Sequence, residues 1–336
     1  MSFKLGLVGF FGWGNYGDEL MRSVWENQLP VNAQVVHDRL DKPYFSRPSV
    51  EMAAEYDAFV IGGGDLIMPR AVSTLYWNRS WLGKPCLVSG VGVALEDTFT
   101  RPDVPKRIGR FLSDQNVLRI SARDTESANW IRSCTSHATI QVCPDLGFGM
   151  PLEQSWLSQS GDSVSGSSAV VAIVIRKHLG DDISAAVDRV LRWAQQRGSR
   201  VEFLIAATGL EANLELEVIR DRWPGVPVRA EHTIQAVTAA FGDYAVVASA
   251  KFHVSLMCMR LGIPNLTLRA THKIQQLSHQ LQDPGTRNVV NSDHSSADIE
   301  SLAMRPVPAD KIHELEIGAQ SEIASVRRCL EDVAAN

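Results

Sequence analysis

Short apolar runs recur along this chain, and most end in Gly, Asp or Arg before a longer stretch with helical spacing. Strands joined through helices pair in parallel, because only a tight turn sends a chain straight back beside itself. The rhythm therefore predicts βα units and a largely parallel sheet. In the first half the predicted strands are Leu5–Phe10, Gln34–His37, Ala58–Ile61, Pro85–Ser89, Leu118–Ser121 and Thr139–Cys143. In the second half they are Ala169–Ile175, Val201–Ala206, Val226–Arg229, Tyr244–Ala248, Asn265–Leu268 and Asn288–Val290. Helices are predicted near 181–197, 211–222, 233–241, 252–261 and 272–281.

Between the two series the chain turns polar over 153–168, and Gln159–Ser168 reads as a linker. At the other end, Ile312, Leu315, Ala319, Ile323, Val326, Leu330 and Val333 repeat at spacings of three and four, the mark of one amphipathic helix. The expected organisation is an N-terminal Rossmann-like domain over 1–155, a C-terminal one over 166–310, and a closing helix over 311–336. Two doubly wound α/β domains facing a cleft is the simplest architecture for such halves.

Composition narrows the function classes. With 336 residues, 45% hydrophobic and 21% charged, the chain has the balance of a soluble globular protein. A net charge of −5 and the lack of a long basic run speak against nucleic-acid binding. An anionic substrate would then need a local basic pocket. Five cysteines, with no C-x-x-C pair, fit free thiols in a reducing compartment. No apolar stretch approaches the roughly 20 residues that cross a bilayer. The first residues run directly into a strand, so no signal peptide is expected. A cytoplasmic enzyme is the expectation, with peripheral contact at the inner face of a membrane left open. Histidines at metal-binding spacing, a nucleophile elbow and a phosphate loop are all missing.

The richest chemistry lies at strand ends, where α/β sheets bind ligands. Tyr244–Ala248 leads through Lys251 and His253 into an apolar helix. Free N–H groups at a helix start attract anions, and a lysine beside an imidazole adds a cation and a proton donor. Arg176, after the strand that opens the second half, offers a planar fork for carboxylate or phosphate. Lys273 adds a cation after Asn265–Leu268. In the first half, Gly12, Gly14, Asn15, Gly17, Asp18 and Glu19 form a glycine-rich strand-to-helix turn. That turn reads equally as ligand-binding or as a capped helix start. Gly62, Gly63, Gly64 and Asp65 end a strand and favour a ligand-lining role. By spacing, Arg123 and Asp124 read as an ion pair at a turn.

In this order the segments resemble the polysaccharide pyruvyl transferase family. The resemblance rests on Gly12-Trp13-Gly14-Asn15-Tyr16-Gly17-Asp18-Glu19-Leu20, Gly62-Gly63-Gly64, Ile120–Ser127 and Pro144–Phe148. It continues through Ser249-Ala250-Lys251-Phe252-His253, Leu261–Pro264 and His272-Lys273. It implies a two-domain fold like that of GT-B glycosyltransferases, with the acceptor on the first domain and the donor on the second. It implies transfer of pyruvate from phosphoenolpyruvate onto two hydroxyls of a sugar, giving a cyclic ketal, with no cofactor. His253 matches the family's general acid. Lys251 replaces a family arginine that binds the donor, and Arg176 falls where the family carries another. Asp18 is the candidate base, with Asp65 in reserve. Asn15, Gly62, Gly63, Gly64, Asp65 and Arg123 join Arg176, Lys251 and Lys273 as substrate-binding candidates. Two other readings stand beside this one: a GT-B glycosyltransferase using a nucleotide sugar, and a non-catalytic carbohydrate-binding homologue. No carboxylate at the Lys251 turn suggests the ribose contact of a nucleotide-sugar enzyme.

Overall fold

The computed structural model describes residues 3–96, 99–137, 139–157, 169–282, 288–291 and 293–335. The chain forms two parallel sheets and divides into two compact units. The first comprises Met1–Gly12, Asp18–Met150 and Glu314–Asn336; the second comprises Trp13–Gly17 and Pro151–His313.

The first sheet contains β1 (Lys4–Val8), β2 (Asn32–Val35), β3 (Ala58–Ile67), β4 (Cys86–Val93), β5 (Val117–Ala122) and β6 (Ile140–Val142) in the order β2-β1-β3-β4-β5-β6. Its helices are α1 (Tyr16–Gln28), α2 (Ser49–Ala54), α3 (Asp103–Leu112) and α4 (Thr125–Cys134). Strand order reverses at the β1/β3 boundary. Right-handed crossovers leaving in opposite directions place helices on opposite faces, so the sheet is doubly wound. Every residue of β4 is buried, as expected of a strand covered on both sides.

The second unit contributes α5 (Gln154–Leu157), β7 (Val170–Val174), α6 (Asp181–Gln196), β8 (Arg200–Ile205), α7 (Gly209–Arg222) and β9 (Val228–Ala230). They are followed by α8 (Ile234–Ala240), β10 (Val246–Ser249), α9 (Phe252–Arg260), β11 (Asn265–Thr267), α10 (His272–Gln280) and α11 (Ser296–Ala303). Its sheet runs β11-β10-β7-β8-β9, all parallel, and reverses at β7/β10. Val171, Ile173 and Ile175 alternate onto one face, where they meet Ile183, Val187, Val190 and Trp193 of α6. Each such buried side chain contributes about 1.5–3 kcal/mol.

Two predicted elements come out differently, and one helix was not predicted. Gly62–Gly64 lie inside β3, which runs on to Ile67 through a register shift. Gly63 and Gly64 hold φ of 85° and 82°, so the strand bends without ending. Asn288–Val290 is not a strand: Asn288 sits at φ 54°, outside extended backbone, and only Val289 bridges to Thr267. The unpredicted α11 opens with a capping box between Ser295 and Asp298, a signal present in the sequence. The linker reading at Gln159–Ser168 falls outside the described residues.

The closing helix, α12 (Ala309–Ala335), buries the predicted stripe from Ile312 to Leu330, and Val333 is half-buried. From Glu314 onward it belongs to the first unit. Buried Glu322 accepts hydrogen bonds from Ser89 Oγ of β4 at 2.7 Å and Ser121 Oγ of β5 at 2.6 Å. It also pairs with Arg119, whose Nε donates at 3.1 Å.

Candidate active site

Both topological switch points carry the residues singled out from the sequence. In the second unit β7 and β10 are neighbours, with Val174 registered against Ser249. Arg176 and Lys177 follow β7, while Lys251 and His253 follow β10. Ser249 Oγ accepts from the Lys251 N–H at 2.9 Å and fixes the turn. Lys251 is the N-cap of α9, and its side chain makes no capping bond. His253 lies in the first turn, 9% exposed, with its ring edge-on to Phe252 at 5.0 Å.

The two basic side chains differ. Arg176 is exposed and forms no ion pair among the described residues. Lys251 is buried: its Nζ meets Glu215 Oε1 at 2.5 Å and donates to the Ala206 carbonyl at 2.7 Å. The sequence had offered no carboxylate at this turn, because Glu215 comes from α7. Burial pushes the Glu215 carboxyl up, and Lys251 draws it partly back. One turn earlier on α7, Glu211 takes Lys177 Nζ at 2.6 Å. Lys273 stands on α10, half-buried, beyond the neighbouring strand β11.

Trp13–Gly17 completes this unit. The Thr208 N–H donates to the Gly14 carbonyl at 2.8 Å, and Asn15 bridges to Ala207. Fully buried Tyr16 hydrogen-bonds Thr238 through its phenol at 2.8 Å, and burial raises that phenol so it stays protonated. Asn15 Oδ1 accepts from the Gly17 N–H at 3.3 Å. A Cβ on Gly17 would overlap Nδ1 of the His253 ring, and one on Gly14 would overlap the Thr208 carbonyl. The turn that spacing left undecided is thus packed against the imidazole, and Asn15 shapes it from within.

In the first unit Asp18 stands in the first turn of α1, after β1, and faces Gly64 within β3. A Cβ on Gly64 would sit 3.4 Å from Asp18 Oδ1. Glu19 Oε1 accepts from the Gly12 N–H at 2.6 Å. Gly62 and Gly63 pack differently from the ligand-lining role expected of them. Gly62 abuts the Ser89 carbonyl, and a Cβ on Gly63 would lie 2.7 Å from Met21 Cβ. Arg123 is likewise no open contact. It is 4% exposed, 2.6 Å from Asp65 and 3.7 Å from both Asp124 and Asp145. Burial alone would pull its guanidinium down, but Asp65, Asp145 and Asp124 more than offset this and keep it charged. Asp124 also caps α4, accepting from Ser127 N at 2.7 Å. Asp65 keeps partial exposure, so Arg123 acts to position it.

Sequence reasoning missed Tyr16, Thr238, Glu211 and Glu215. The last two had a signal, two carboxylates four apart on a predicted helix. Their lysine partners come from distant strand ends, which spacing cannot show. Among the described residues no group of three or more His, Cys, Asp or Glu is placed to hold a metal ion, and no helix is long and apolar enough to cross a membrane.

The sequence model of the family described as polysaccharide pyruvyl transferase matches residues 15–270. No curated protein matches the chain by sequence. Among solved structures, the UDP-GlcNAc 2-epimerase of Neisseria meningitidis bound to UDP-GlcNAc aligns with a TM-score of 0.54 and 12% identity, covering 99% of this chain and 100% of that one. The UDP-GlcNAc 2-epimerase of Methanocaldococcus jannaschii, in complex with UDP-GlcNAc and UDP, gives 0.56 and 11% over 94% and 99%. The UDP-N-acetylglucosamine 2-epimerase of Rickettsia bellii gives 0.56 and 11% over 100% and 98%. The likeness is one of fold, the GT-B type of two parallel α/β sheets.

Proposed function

Because the chain belongs to the polysaccharide pyruvyl transferase family, we propose that it moves pyruvate from phosphoenolpyruvate onto two hydroxyls of a sugar in a glycan or glycan precursor. The observation that carries this reading is the β7/β10 switch point. There an imidazole stands in the first turn of α9, with an exposed guanidinium after the adjacent strand.

In this scheme His253 protonates the methylene carbon of phosphoenolpyruvate, leaving cationic character at the carbon that bears oxygen. A sugar hydroxyl adds to that carbon and gives up its proton to a base. The second hydroxyl then displaces phosphate, which leaves with that hydroxyl's proton, and the ketal closes. Arg176 takes the donor's carboxylate or phosphate, with the α9 amides beside it and Lys273 behind. Lys251 adds charge to the same turn but is held by Glu215. On the acceptor side Asp18 is the base, Gly64 leaves room beside it, and Asp65 is held in reserve by Arg123. The donor is a substrate, and no cofactor enters. The cysteines are free thiols, which fits a cytoplasmic setting with the acceptor, free or lipid-linked, offered at the inner face of a membrane.

The test is mass spectrometry of sugar acceptors incubated with phosphoenolpyruvate and the protein. A pyruvate adduct with matching phosphate release is expected. A second reading, transfer from a nucleotide sugar, draws on the shared fold with structures that hold UDP-GlcNAc. Thermal stabilisation by UDP-sugars with none by phosphoenolpyruvate would replace the first reading with this one.

A further inference from the structure

One helix holds both lysines of the second switch point. Glu211 and Glu215 are four residues apart on α7 and share a face. Lys177 leaves β7 and Lys251 leaves β10, the two strands where the order reverses. The Lys177–Glu211 pair is partly solvated, with side chains 29% and 9% exposed. The Lys251–Glu215 pair is sealed, at 8% and 1%. Glu215 Oε2 has no hydrogen-bond partner. A carboxylate buried with so little support is a poor stabiliser, since desolvation consumes most of what the ion pair returns. Lys251, meanwhile, sits at the start of α9 beside His253, where the donor's phosphoryl group would need cations.

Resting on the reading of this unit as the donor side, we infer that Glu215 is an internal competitor of the anionic substrate. It neutralises Lys251 and so sets how tightly the donor's phosphoryl group and the released phosphate bind. The pair contributes a net charge of zero. Removing the carboxylate leaves +1, removing the lysine leaves −1, and removing both restores zero. A carboxylate that only supported the fold would give no such order.

Calorimetric titration of the full chain with inorganic phosphate, and separately with phosphoenolpyruvate, tests this on four proteins: wild type, Glu215→Gln, Lys251→Met and the double variant. Glu215→Gln is expected to bind both anions on the order of tenfold tighter, the scale on which one nearby opposite charge shifts a titrating group. Lys251→Met should bind more weakly than wild type, and the double variant close to wild type. Weaker or unchanged phosphate binding by a folded Glu215→Gln protein overturns the inference. Tighter phosphate binding by that variant, with phosphoenolpyruvate ignored by all four proteins, upholds the charge competition and rejects the donor reading. The reverse, phosphoenolpyruvate bound by wild type with no gain in Glu215→Gln, keeps the donor reading and rejects the competition. Should Glu215→Gln fail to fold, Glu211→Gln asks the same of the more solvated pair. A gain of about threefold is expected there, because solvent screens that pair, and Lys251→Met then decides for the sealed pair: phosphate binding by that variant as tight as wild type overturns the inference.

Discussion

The two switch points share a topology but are charged in opposite ways. In the first unit one guanidinium, Arg123, lies among Asp65, Asp124 and Asp145, with Asp18 near Gly64 of β3. Carboxylates outnumber cations there. At the end of the second sheet two lysines meet two glutamates, and exposed Arg176 tips the balance positive. One fold, used twice, thus yields one edge richer in carboxylates and one edge richer in cations. The difference lies in side chains that the strand order delivers to the same geometric place.

His253→Ala should strike this contrast hardest. A general acid typically supplies 10²–10⁴ in rate, so kcat is expected to fall by about that factor while the circular-dichroism spectrum stays folded. Turnover near wild type would leave the second switch point with anion binding alone. Gly17→Ala tests the same imidazole without touching it. Its added methyl overlaps Nδ1, and a displacement of this size at a reacting group costs about 10²-fold. Unchanged kcat would mean that the ring position is not what the glycine protects.

Arg123→Met probes the other side. It strands three carboxylates around a buried apolar side chain, and breaking such an arrangement costs about 3–5 kcal/mol. Urea unfolding should show a midpoint shift of that size. A loss below about 1 kcal/mol would mean that the carboxylates protonate or hydrate easily. Arg176→Ala should do the opposite, leaving the unfolding midpoint in place because the residue is exposed. Donor affinity should fall about tenfold, the scale of a hydrogen bond to a charged group. Equal donor affinity in that variant would remove the exposed cation from the contrast.

Much of this was legible in the sequence. The alternation of apolar runs and helical spacing gave both sheets, and the stripe from Ile312 onward gave α12. Arg176, Lys251, His253 and Asp18 were singled out because α/β sheets bind ligands at their strand ends, and the structure puts each of them after a strand or in the first turn of the following helix. What spacing could not reveal was partnership. Lys251 looks open in the sequence and is closed by Glu215, since contacts between a strand end and a separate helix depend on packing. Arg123 shows the same limit: Asp124 is its neighbour in sequence, but Asp65 and Asp145 reach it only through the order of β3, β5 and β6. The glycines divided for a steric reason. Gly17 touches an imidazole, Gly64 faces a carboxylate, and Gly62 and Gly63 sit against their own sheet and helix.

The smallest expected effect concerns how the first unit keeps its carboxylates charged. Glu322 is buried on α12, and burial by itself would raise its carboxyl. Hydrogen bonds from Arg119, Ser121 and Ser89 outweigh that and hold it below its ordinary value of 4.5. A carboxyl lowered in the folded state binds its proton more readily in the unfolded chain, so its stabilisation is complete above the unfolded value. It fades as pH falls from about 4.5 through the lower folded value. Glu322→Gln cannot titrate and keeps part of the hydrogen bonding, so it should lose about 1 kcal/mol at neutral pH. The gap between the two unfolding curves should narrow on acidification below pH 4.5. A gap constant down to acid pH would mean that Glu322 titrates alike in the folded and unfolded chain, and a relative gain by the wild type on acidification would mean that its carboxyl is protonated in the fold.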